Sequence, residues 1–134
     1  MLNVCNVYDY THVEKSWGYE LWLVNNNEYC GKELYFDKPG ARTSLHYHVE
    51  KRETMYCRNG IFVIAFLTKD GQLDKVKLDP RQSVEIPREC VHSIICIKPG
   101  MLMEFSTTHK DEDSYRVSGE GWLKADLKNF NIEI

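Results

Sequence analysis

The chain has 134 residues, 43% of them hydrophobic and 28% charged, with a net charge of −3. That is enough apolar material for one compact domain with one core over residues 1–134. No run of about 18 apolar residues is present to form a membrane-spanning helix. No basic stripe is offered to a nucleic-acid backbone, and the start, MLNVCNVYDYTHVEK, lacks the basic and long apolar stretches of a signal peptide.

In chain order, short runs rich in Val, Ile, Tyr, Phe and Trp alternate with turn signals. NVYDYTHV reads as a first strand, suited to being contributed across a homodimer. GYELWLV ends at Asn25-Asn26-Asn27, and KELYFD leads to Lys38-Pro39-Gly40. After TSLHYHV come TMYCRN and IFVIAFL, with Asn59-Gly60 between them, the dipeptide favoured in type I′ hairpins. Asp70-Gly71 predicts a second hairpin into KVKL; Asp79-Pro80, SVEIP, HSIICI, Pro99-Gly100, MLMEFST and Ser118-Gly119 follow. Only GWLKADLKNF, with Trp122, Leu123, Leu127 and Phe130 as an apolar stripe, suits a short C-terminal helix. So many short strands predict an all-β sandwich or barrel. The cysteines Cys5, Cys30, Cys57, Cys90 and Cys96 form no C-x-x-C pair and read as buried reduced thiols of a cytoplasmic protein.

The stretch from Gly40 to Gly60 carries the chemistry. His46 and His48 are one residue apart, and Glu53 follows after a gap of four. Side chains alternate along a strand, so the two imidazoles share a face and can grip one ion. Glu53, and His92 from the later run EIPRECVHSII, must join them from neighbouring strands. Nitrogen and carboxylate ligands together suit one divalent transition metal: zinc first, with Mn, Fe, Ni or Co as alternatives. Positions left open on such an ion would make it catalytic. His12 reads as a solvated surface residue.

Parity extends the pocket. If His46 and His48 face inward, Ser44 and Arg42 share their face while the strand stays regular; otherwise Arg42 is exposed. In MLMEFSTTHK, Glu104 and Ser106 would face the cavity and Met103 and Phe105 the outer core, or this is the exposed face of an edge strand. A carboxylate in a partly desolvated pocket can serve as a general base.

The spacing G-x5-H-x-H-x4-E-x6-G over 40–60 resembles the first motif of the cupin family at every fixed position. The second, over 81–96, keeps Pro87 and His92, while Arg81, Glu89 and Cys96 replace two glycines and an asparagine. Glu89 thus implies a different loop before His92. The resemblance implies a double-stranded β-helix, a jelly-roll barrel. Lys15-Ser16-Trp17-Gly18 is similar to the opening of cupin-type mannose-6-phosphate isomerases, Lys38-Pro39-Gly40-Ala41-Arg42-Thr43-Ser44-Leu45 resembles their KPGARLSLQ run, and Glu104-Phe105-Ser106 resembles a strand of theirs; their closing R-x-x-D-x-Y-G-R is absent.

That narrower resemblance implies a metal-dependent sugar or sugar-phosphate isomerase working through an enediol, with small-molecule substrates. Glu104 is the first candidate base and His109 the second. Lys15, Arg42 and Arg116 are candidates for a phosphate, with Ser44 and Ser106 beside the substrate. Trp17 either stacks on a sugar face or plugs the core. Two alternatives stay open: a cupin metal oxidase or dioxygenase, and a non-catalytic sugar-binding module.

Overall fold

The computed structural model describes residues 1–118; the expected helix, with Trp122, Leu123, Leu127 and Phe130, lies outside them. Nine strands form: β1 Thr11–Lys15, β2 Gly18–Asn25, β3 Cys30–Phe36, β4 Leu45–His48, β5 Glu53–Leu67, β6 Leu73–Leu78, β7 Ser83–Ile86, β8 His92–Ser106 and β9 Ser114–Ser118. Two short 3₁₀ turns, Val7–Asp9 and Asp111–Asp113, complete the elements. The all-β expectation holds. No helix of the described residues is long and apolar enough to cross a membrane.

All pairings are antiparallel, and β5 and β8 pair with each other along nearly their whole lengths. Their outer neighbours change midway. The second half of β8 lies against β3, from Cys30↔Ser106 to Phe36↔Gly100, while the first half of β5 lies against β7. The first half of β8 meets β4 at His46↔His92 and Arg42 at Ile95, while the second half of β5 pairs with β6. With β1–β2 flanking β3 and β9 flanking β4, one sheet curls into two facing halves, a jelly-roll barrel.

The change of partners falls where the sequence predicts turns, and this corrects two of them. Asn59-Gly60 and Pro99-Gly100 make no hairpins; both lie inside 15-residue strands. The β5–β8 register shifts around Asn59, and Gly60 sits at φ +85°. A positive φ serves a bulge as well as a type I′ turn. The strands also approach too closely for side chains: a Cβ on Gly60 would lie 2.6 Å from Lys98 O, and one on Gly100 2.2 Å from Asn59 O. Asp70-Gly71 does join β5 to β6, with Gly71 at φ +75°.

Two smaller expectations change. The run NVYDYTHV becomes a strand only from Thr11; Asn6 caps a 3₁₀ turn over Val7–Asp9 instead. Glu89 does not signal a different loop. Arg81 and Glu89 hold φ +72° and +66°, so both non-glycine residues keep the left-handed backbone that glycine would adopt more easily. Glu89 N–H then donates to His48 O at 2.6 Å, tying this loop to β4.

Strand alternation builds the interior. In β3, Cys30, Lys32, Leu34 and Phe36 are buried and the residues between them half-buried. Trp17, stacked on Phe36 with ring centroids 4.3 Å apart, joins Phe62, Ile94, Cys96 and Leu102 in an apolar plug. Above the plug the inward positions turn polar: Lys32, Glu53, His92 and Glu104 are each buried. Phe105 is 52% exposed rather than in an outer core, because the face opposite Glu104 meets solvent. Of the free cysteines, Cys30, Cys57 and Cys96 are buried, Cys90 is half-buried and Cys5 is exposed.

Candidate metal centre and its cavity

The polar end of the barrel encloses a cavity of about 660 Å³. His46 and His48 reach it from β4, His92 from the start of β8, and Glu53 from the start of β5. One ring nitrogen of each histidine lies within 4.8 Å of the others.

The tautomers follow from the partners. His46 Nδ1 is 2.8 Å from Ser44 O, His48 Nδ1 is 3.1 Å from Asp113 O, and His92 Nδ1 is 2.9 Å from Cys90 O. A carbonyl only accepts, so each Nδ1 carries the proton and each Nε2 of a neutral ring presents a lone pair. Burial, more than any neighbour, lowers the His46 pKa to about 3 and also lowers that of His48, where Lys51 adds to the effect.

Glu53 completes the test of fit. Both its carboxylate oxygens are buried without a well-directed hydrogen bond. Its Oε1 lies 3.1 Å from His92 Nε2, so two lone-pair atoms face each other and a proton or a metal ion must stand between them. Burial would raise the Glu53 pKa, but His92 and Lys51 outweigh it and the pKa is lowered. Three imidazoles whose Nε2 atoms converge, beside a buried carboxylate, fit a divalent cation, and the donor set does not select which one.

Behind this group lies a lysine that the sequence reading passed over. The buried Lys51 ammonium is 3.1 Å from Glu53 Oε2, donates to Glu104 Oε2 at 3.2 Å, and donates to His109 Nδ1 at 3.1 Å. Burial would lower its pKa; the two carboxylates more than reverse this and raise it. Ser106 Oγ also donates to Glu104 Oε2 at 2.9 Å, which leaves Glu104 Oε1 without a protein donor among the described residues. His109 Nε2–H donates to Asp111 Oδ1 at 2.9 Å, and burial first, then Lys32 and Lys51, lower the His109 pKa.

Asp113 was also missed. Its buried carboxylate accepts from the backbone N–H groups of Val49, Glu50 and Lys51 at 2.9–3.2 Å. Its carbonyl is the one that fixes His48. Asp113 thus clamps the turn that carries the ligands from β4 to β5. Short range gives no sign of this, since the bonds span more than 60 residues. Lys32 did have a signal: it alternates with Leu34 and Phe36 in CGKELYF.

The other expected site residues divide by position. Lys15, Trp17, Ser44, His109 and Arg116 line the cavity with Glu104. Trp17 does so as the top of the plug, and Lys15 and Arg116 are exposed at the mouth. Ser106 stands behind Glu104 as its hydrogen-bond donor. Arg42 lies outside the lining; it is buried with Nη1 donating to Gly40 O at 2.9 Å. The strand is not yet regular at Arg42, so alternation does not carry it inward: β4 begins at Leu45.

No protein-family model and no curated protein sequence matches the chain. Solved structures do. Oxalate decarboxylase from Bacillus subtilis superposes with a TM-score of 0.72 at 17% identity, over 99% of this chain and 38% of that one. An RmlC-like cupin from Shewanella frigidimarina gives 0.65 at 18% identity, over 84% and 96%. The capsular polysaccharide assembling protein CapF from Staphylococcus aureus gives 0.68 at 17% identity, over 81% of this chain; the chain spans about a third of CapF, 34%. What these likenesses establish is the fold, a cupin-type jelly-roll barrel.

Proposed function

We propose that the chain is a metal-dependent aldose–ketose isomerase acting on a sugar or sugar phosphate. The observation that carries this reading is Glu104: a buried carboxylate with one oxygen tied down and the other without a donor among the described residues, in the same cavity as the three imidazoles. A divalent cation held by His46, His48, His92 and Glu53 would supply Lewis-acid polarisation of a carbonyl and the neighbouring hydroxyl.

Glu104 then removes the proton from the hydroxyl-bearing carbon, giving an enediol, and returns it to the former carbonyl carbon. Lys51 and Ser106 fix the carboxylate through Oε2 and leave Oε1 to carry the proton. His109, held between Lys51 and Asp111, suits the matching proton shift between the two oxygens. Ser44 and Trp17 offer a polar and an aromatic wall to the substrate. The structural likeness to a capsular polysaccharide assembling protein supports a carbohydrate substrate.

A second reading, a metal oxidase or dioxygenase of a small metabolite, is favoured by one finding: the likeness to oxalate decarboxylase, whose Mn(II) centres are known, covers nearly the whole chain. Solvent exchange separates the two. Metal-loaded protein in D₂O with a panel of aldoses, ketoses and their phosphates is expected to place deuterium at C1 or C2 of one sugar, and Glu104→Gln to abolish this while retaining metal. Oxygen consumption without exchange would transfer the assignment to the second reading.

A further inference from the structure

Two buried lysines lie in this cavity, and they differ in what they touch. Lys51 donates to Glu104 and His109 and has the Glu53 carboxylate 3.1 Å away, all within 3.2 Å. Lys32 is as deeply buried, at 2% exposure, but has one ion-pair contact among the described residues, Glu20 Oε1 at 3.5 Å. That oxygen already accepts the Trp22 indole N–H at 2.8 Å. The Lys32 ammonium also lies 4.2 Å from the centroid of a Trp22 ring, a cation–π contact that satisfies no particular N–H. A buried ammonium is costly unless acceptors surround it. Two of its N–H bonds have none among the described residues, and Lys32 lines the cavity.

Lys32 does not stand alone in this. It is the direct cross-strand neighbour of Glu104, the carboxylate beside the metal ligands. Lys15 and Arg116, at the mouth, have no ion pair among the described residues. Four basic and four acidic side chains line the cavity, so the lining alone is balanced and a divalent cation adds two uncompensated positive charges. Glu20 and Asp111 are already committed, to Trp22 and His109.

We infer that the substrate is an anionic sugar, and that its acidic group, a carboxylate or a phosphate monoester, is received by Lys32. Lys15 and Arg116 draw the anion in at the mouth. Trp22, beneath the ammonium, holds the Lys32 stem in place. The inference rests on the sugar reading of the site, but it concerns binding and requires no turnover.

Titration calorimetry on zinc-loaded protein tests it with glucose and mannose, their 6-phosphates, and glucuronate and mannuronate. At least one anion is expected to bind ten times more tightly than its neutral parent, and the two acid series show whether a phosphate or a carboxylate is preferred. Lys32→Met, which keeps the stem and loses the charge, is expected to weaken that anion by roughly tenfold to a hundredfold, with zinc stoichiometry and neutral-sugar affinity unchanged. Equal affinity for acids and neutral sugars, binding of none of the six, or undiminished anion binding by zinc-replete Lys32→Met would each overturn the inference. The wild-type comparison stands even if the variant does not fold. Anion binding through Lys32 without solvent exchange would sink the isomerase alone; exchange on a neutral sugar without discrimination would sink the anion site alone.

Discussion

The two ends of the barrel interior are built by the same strands and differ at one level. In β3 the inward series runs from Lys32 to Leu34 and Phe36; in β8 from Glu104 to Leu102; in β5 from Glu53 to Met55 and Cys57. Alternation sends both sets inward alike. At the plug, burial itself stabilises, since each apolar side chain leaves water. In the cavity, burial is a cost that must be offset partner by partner, and Lys51 lying among Glu53, Glu104 and His109 is how most of it is offset. Equal depth therefore means opposite things at the two ends: burial stabilises below and must be offset by partners above.

The contrast can be broken from either side. Phe62→Ala, at a side chain with no solvent exposure, is expected to cost about 3 to 5 kcal/mol in denaturant unfolding while leaving metal content per folded chain unchanged. Lys51→Met leaves two buried carboxylates facing each other. Metal-free protein is expected to lose about 3 kcal/mol, and metal-loaded protein less, because the cation then compensates Glu53. Equal losses with and without metal would contradict the assignment of Glu53 to the metal group.

A third effect belongs to the cavity alone. His46 titrates near its ordinary 6.5 when unfolded but at about 3 in the fold, chiefly because it is buried. Between those values the unfolded chain binds the proton and the folded one does not, so stability falls as pH falls. From this residue alone, metal-free protein is expected to lose about 2 kcal/mol between pH 7.5 and pH 5. His46→Gln should remove that share of the slope, and an unchanged slope would contradict it. The smallest effect sharpens the loop before His92: Glu89→Gly, relieving φ +66°, is expected to stabilise by about 1 kcal/mol, with metal affinity retained.

Local spacing revealed much of this. His46, His48, Glu53 and His92 stand in a fixed pattern, and alternation puts Glu104 and Ser106 on one face, either the cavity side or the exposed side of an edge strand. What escaped has two physical causes. Asn59-Gly60 was ambiguous because a bulge and a type I′ turn both need a positive φ, and only the partner strand, with Pro99-Gly100 opposite, decides between them. Lys51 sits in a turn and Asp113 in a short 3₁₀ segment, where no periodicity assigns a face; their roles come from bonds between segments about 60 residues apart. Arg42 shows the converse, alternation extended past the point where the strand begins.

Metal analysis tests the central claim most directly. Protein purified without chelator, and metal-free protein titrated with zinc, manganese and iron(II), would be compared with His92→Ala by mass spectrometry of bound metal and by calorimetry. The expected result is one divalent ion per chain in the wild type, and affinity lower by orders of magnitude in the variant. A wild-type protein that takes up no stoichiometric metal, or a His92→Ala variant that binds it equally well, would contradict the assignment of the polar end of the barrel as a metal centre.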